Sequence, residues 1–131
     1  MAKRMAWAVL AVFIWWSIAD FLIHGLLLKS EYAATPSLWR PLDQMNMTLV
    51  YLVTLVVSLS FVLIYGLLVG KKSIESGVTF GALFGLASGI SMGFGSYSSM
   101  PITLTIAWSW FIGSWVQAVV AGAIAGAIVK S

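Results

Sequence analysis

Asp20 and His24 lie four residues apart inside an otherwise apolar stretch, where an ionised side chain costs a few kcal/mol, on the order of 2.5–3.5 for an aspartate at mid-membrane. At helical spacing they share one face with Trp16 on the previous turn. A carboxylate beside an imidazole is the smallest pair that can take up and release a proton near neutrality, or hold a small cation. Arg40, in the polar stretch that follows, is the sequence candidate for a counter-ion. Gln117 is the other polar side chain expected at membrane depth, bonding across to the first or second helix. Asp20, His24, Arg40 and Gln117 therefore form a candidate polar or ion site. The same residues also read as a structural knot, in which Asp20 accepts hydrogen bonds from His24, a tryptophan indole or Arg40 and fixes the loop over the helices.

Other chemistry finds little support. There is no cysteine, which excludes disulfides, thiolate catalysis and iron–sulfur ligation by this chain. One histidine and four carboxylates make a poor metal set, and a haem would need an axial partner from a methionine or a second copy. No Ser/His/Asp order and no glycine-rich phosphate loop ending in lysine is present. The expectation is a protein that is not an enzyme and carries no metal or cofactor. The net charge of +3 comes from isolated cations at the ends of apolar runs, so nucleic acid is not an expected partner. The seven tryptophans read as interfacial anchors, or alternatively as a stacking platform for an aromatic or cationic substrate.

Composition dictates what must position these groups. Of the 131 residues 61% are hydrophobic and 8% charged, against about 25% charged in a typical soluble domain. The chain lacks the polar residues to cover a surface facing water, so its expected partner is the lipid bilayer. Four apolar segments meet the roughly 20 residues needed to span it. They are 5–28, 48–69, 77–95 and 101–129, joined by a longer loop at 29–47 and two short turns. The expected fold class is all-α, an integral membrane bundle of four helices in one transmembrane domain. The last segment exceeds one span and should tilt or protrude. Pro101 suits a first helical position, and short turns make helices two, three and four expected antiparallel neighbours. The first segment is too long for a signal peptide and reads as a retained helix. Five of the seven Lys and Arg residues (Lys3, Arg4, Lys71, Lys72 and Lys130) fall on the side of the termini, which predicts both termini inside.

The third segment repeats glycine at every fourth position: Gly77, Gly81, Gly85, Gly89 and Gly93. Residues four apart share a face, so this is a groove of bare backbone. The fourth segment offers Ser114, Ala118, Gly122 and Gly126 at the same interval. Small faces permit close backbone approach, the main source of helix association where lipid removes the hydrophobic effect. The seam can pair the third and fourth helices, join two copies, or form a wall for a lipid, quinone or pigment.

Several stretches carry a resemblance: Asp20-Phe-Leu-Ile-His24-Gly25, Leu38-Trp39-Arg40-Pro41, Gly93-Phe-Gly-Ser-Tyr97-Ser-Ser-Met-Pro101, and the alternating Ala and Gly after Val119. The chain resembles a group of small bacterial four-helix membrane proteins of unknown function. The resemblance implies the same architecture and a bacterial inner membrane, and it assigns no activity. The residues look unlike those of small multidrug exporters, which carry a glutamate in the middle of the first helix, or of small fluoride channels with their phenylalanine–threonine track. The leading expectation is a structural or accessory membrane subunit acting through glycine-mediated packing, in a homo-oligomer or a larger membrane complex. The alternative is a small oligomeric transporter or channel with a proton- or ion-linked Asp20/His24 site.

Overall fold

The computed structural model describes residues 1–130. It is helical, with no strand among the described residues. Four helices are long and apolar enough to cross a membrane: α1 (Ala2–Leu27), α2 (Met47–Leu68), α3 (Ile74–Ser99) and α4 (Leu104–Ile128). By length and composition they give the chain the build of a multi-pass membrane protein. Ala8 of α1, Tyr65 of α2 and Val129 after α4 meet in one cluster. That end, which carries the termini and the α2–α3 turn, is called here the termini end. The 29–46 segment and the α3–α4 turn form the loop end.

The helix boundaries follow from capping. The Asn46 side chain accepts from Leu49 N at 3.0 Å and opens α2. A reciprocal capping box between Ser73 and Ser76 opens α3 three residues before the expected start. Thr103 Oγ1 accepts from Ile106 N at 3.2 Å and opens α4. Pro101 is therefore not a first helical residue. It lies in the non-helical link before the cap, because the threonine hydroxyl supplies the N-terminal acceptor that proline cannot.

Two helices change pitch at the loop end. Residues Phe21–Leu27 of α1 and Ser91–Gly95 of α3 form π turns. In α1 the wider turn ends where Leu28 N donates to Ile23 O at 2.9 Å. An inserted residue of this kind rotates every side chain beyond it relative to those before, and such turns recur at functional sites.

α3 and α4 pack along their whole shared length, α4 also packs on α1, and α1 on α2. The expected α2–α3 adjacency is not realised at the backbone. Bulky side chains hold these two apart: Phe61 of α2 meets Phe80 and Phe84 of α3 with ring centroids 4.7 and 5.0 Å away. The Tyr65 hydroxyl reaches the turn, donating to Ser73 O and accepting from Ser73 N, both at 3.0 Å. The core at the termini end is aromatic on α2 and small on α4, where Ala118, Ala121 and Ala125 are fully buried. Toward the loop end α2 is more exposed than at the termini end. Over residues 47–57 only Thr54 is not exposed.

The glycine face of α3 is filled by α4 of the same chain. A Cβ added at Gly77, Gly81 or Gly93 would strike the carbonyl oxygen of Gly122, Ala118 or Ala107. At Gly89 it would lie 2.8 Å from Phe111 O, and at Gly85 2.8 Å from the Ala118 Cβ. In return, a Cβ at Gly122 or Gly126 would strike the carbonyl of Gly77 or Ser73. Ser114 faces Gly89, with its Cβ 3.5 Å from the added atom. No side of this groove is left for a second copy or for a lipid, quinone or pigment.

Candidate functional site

Asp20 closes the regular part of α1, and its carboxylate points toward α4. Its Oδ1 accepts from Gln117 Nε2 at 2.8 Å. Gln117 is only 3% exposed, so this amide is withdrawn from lipid and from water alike. The backbone carbonyl of Gln117 accepts from Trp15 Nε1 at 3.0 Å. Two side chains of α1 thus grip one residue of α4, one through its side chain and one through its main chain. Neutral donors satisfy the contact. No ion pair reaches Asp20 among the described residues.

His24 sits in the π turn and bonds elsewhere. Its Nδ1 lies 2.6 Å from the Tyr32 hydroxyl, and Trp110 Nε1 donates to that same hydroxyl at 2.7 Å. Three elements therefore converge on one oxygen: α1, the short helix Lys29–Ala33 and α4. The rings support it. His24 and Tyr32 stack with centroids 6.1 Å apart and 14° between planes. Trp39 packs edge-on against Tyr32 at 5.1 Å and Trp110 at 5.8 Å. Trp39 Nε1 in turn donates to Thr35 Oγ1 at 3.0 Å. Across the loop, Thr103 Oγ1 donates to Glu31 Oε2 at 3.4 Å.

The proton on the central bond is set by chemistry. An indole only donates, so the Tyr32 oxygen spends one lone pair on Trp110. Burial pushes the phenol above its usual range, an effect opposed by the Trp110 bond. Tyr32 therefore keeps its proton at physiological pH. With neutral His24 carrying its hydrogen on Nε2, Tyr32 donates to Nδ1. With charged His24, Nδ1–H donates and the phenol oxygen accepts from both rings. Both protonation states of His24 leave this bond intact.

Two expectations need correction. Arg40 is exposed and has no hydrogen bond or ion pair among the described residues, so it is not the counter-ion of Asp20. It follows Trp39, whose backbone is extended at φ −123°, ψ 150°. Successive side chains of an extended segment point to opposite sides, so the half-buried Trp39 turns Arg40 outward. Asp20 and His24 are also not hydrogen-bonded to each other. The π turn between them sends one toward Gln117 and the other toward Tyr32. The site is thus two polar contacts in sequence along α1.

Trp110 and Trp15 were legible only as interfacial aromatics. The available signal was polarity: Tyr32 follows His24 by eight residues, within reach if the chain folds back after α1. Ser17, one turn before Asp20, carries the one fully buried side-chain polar atom without a hydrogen-bond partner among the described residues. No group of three or more His, Cys, Asp or Glu side chains suited to a metal forms among them. No family model, no curated protein and no solved structure matches the chain.

Proposed function

We propose that this chain takes up and releases a proton or a small monovalent cation at Asp20, as the unit of a small oligomeric transporter or channel with both termini in the cytoplasm. One observation carries the reading. Asp20 lies in a span long and apolar enough to cross a membrane, with a neutral amide as its one hydrogen-bond partner among the described residues. An ionised carboxylate there, without a cation, bears an uncompensated charge in a poorly polarisable medium. A proton or a bound cation would compensate that charge, and exchange between the two is the elementary step of proton- or cation-linked transport. The buried Ser17 oxygen and the second carboxylate oxygen add acceptors on the same helix. His24 and Tyr32 continue the polar line toward the loop end, where a proton would enter. The aromatic and alanine core at the termini end leaves little room for water within one chain, so a complete path calls for a second copy. Five of the seven basic residues lie at the termini end, which supports the cytoplasmic assignment.

Carbodiimide labelling tests this directly. Dicyclohexylcarbodiimide partitions into lipid and adds to a carboxyl only in its protonated form, so it reports a proton on an intramembrane acid. Asp20 should be modified in membranes at mildly acidic pH, more slowly as pH rises, and not at all in Asp20→Asn. Sodium that slows the reaction would identify a cation competing with the proton. Absence of labelling across the whole accessible pH range would defeat the proposal.

A second reading, a structural or accessory subunit, draws on a different observation. The loop-end half of α2, residues 47–57, is mainly apolar, and among the described residues every side chain in it but Thr54 is exposed. The glycine seam cannot serve this role, since α4 already occupies it. Native mass spectrometry of gently extracted protein separates the two. Homo-oligomers alone favour the transporter, and stoichiometric retention of a larger membrane complex favours the subunit.

A further inference from the structure

We propose that the groove at the termini end, between the last turn of α2 and the first turns of α3, binds one anionic phospholipid. The groove has a volume of about 1060 Å³ and is open on one side. Its rim carries Lys71, Lys72 and Lys130, and among the described residues Glu75 is the one carboxylate side chain in its lining. The cationic rim, with Lys71 and Lys130 beside the single described carboxylate side chain, complements a phosphate diester. Lys72 is held at the rim by donating from Nζ to Val69 O at 2.8 Å.

Below the rim the lining runs down one face of α3 through Ser76 and Thr79, and ends on the apolar Phe80 and Leu83. From Ser73 to Leu83 the helix rises about 15 Å at 1.5 Å per residue. That is about half of a hydrocarbon core roughly 30 Å thick, the depth of one leaflet. Leu83 is 65% exposed and offers its side chain to whatever fills the trough. The trough exists because α2 packs on α1 and meets α3 through the side chains of Phe61 and Tyr65, which leaves their backbones apart. A soluble anion would use the rim alone. A phospholipid uses rim and trough together, and this pairing of a cationic rim with a leaflet-deep wall that ends on apolar side chains selects it. The site is separate from Asp20 and does not depend on it.

Native mass spectrometry of the purified full chain in detergent micelles doped with phosphatidylglycerol, phosphatidylcholine or inorganic phosphate tests the proposal. One phosphatidylglycerol should remain bound at activation energies that strip phosphatidylcholine. Lys71→Gln and Lys130→Gln should each weaken it about fivefold, the effect of removing one basic group near an anionic headgroup. Glu75→Gln should strengthen it, which guards against misreading a folding defect in the lysine variants. Leu83→Gln should weaken retention of the lipid without altering any inorganic phosphate adduct. Equal retention of the two lipids, or indifference to the lysine variants, would overturn the site. Displacement of the lipid by equimolar inorganic phosphate would also overturn it, since the rim would then be a simple anion site.

Discussion

The seam between α3 and α4 and the polar contacts between α1 and α4 both hold α4 against a neighbour, and they do so by opposite means. The seam is backbone against backbone. Five glycines of α3 leave no side chain to interpose, and the carbonyls of Ala107, Ala118 and Gly122 lie where a Cβ would be. Its strength comes from many small dispersion contacts that tolerate no added atom. The α1–α4 contact is carried by a few long polar side chains. Gln117 and Trp15 reach 2.8–3.0 Å hydrogen bonds across the gap, and Trp110 joins His24 of α1 through the Tyr32 hydroxyl. A seam of the first kind is rigid and has one state. A contact of the second kind can exchange protons, admit a cation or water, and break one bond at a time. The lesson is a division of labour: α4 is fixed on one side and adjustable on the other.

The sharpest way to break this contrast is Gly81→Leu. Its side chain would meet the Ala118 carbonyl, which cannot move without parting the helices. The expected loss is about 3 kcal/mol, read as a large drop in the midpoint of denaturant unfolding in micelles. Near-normal stability would mean that the helices are not in backbone contact. Gly95→Ala is the matched control, because its nearest neighbour would be Ser91 Oγ at 3.8 Å. It should change stability by no more than about 0.5 kcal/mol.

On the adjustable side, Gln117→Leu leaves Asp20 without its donor and should cost about 1–3 kcal/mol. Adding Asp20→Leu to it should restore much of that loss, since both polar partners are then gone, while abolishing carbodiimide labelling. The Trp15 bond to the main-chain carbonyl of residue 117 survives in either variant. A double variant no more stable than Gln117→Leu would show that the contact is not a closed pair.

Tyr32→Phe removes the oxygen shared by His24 and Trp110, at a cost of about 1 kcal/mol, with a shift in tryptophan emission as the Trp110 indole loses its acceptor. It should also flatten the alkaline limb of the stability profile. Burial raises the folded-state value of the phenol above the ordinary 10.0. Its contribution is therefore complete below that value and lost as pH climbs through the raised one. The smallest effect belongs to Arg40→Gln, which should leave stability and labelling within error because the side chain faces outward.

The extents of the four helices are close to those expected from the apolar runs, with two informative exceptions. α3 starts at Ile74 because the Ser73 hydroxyl caps it, and continues past Gly95 because a π turn carries it through the glycines. α4 starts after Thr103, a better cap than proline. The site was legible in part. Asp20 and Gln117 stand out as polar residues in apolar segments, and their bond joins positions 97 residues apart. Tyr32 and Trp110, 78 residues apart, gave no such signal, because aromatics near a membrane boundary are common.

The number of spans and the four-residue glycine interval follow from the sequence alone, since each depends on neighbours within one or two turns. Partner choice does not. That α2 lies on α1, that Arg40 turns out while Trp39 turns in, and that His24 meets Tyr32 instead of Asp20 were decided by the tertiary structure. Each depends on the rotation of one helix about its axis relative to another. That rotation is fixed by how aromatic and small side chains fill the shared core, and in α1 it is reset within a single helix by the π turn.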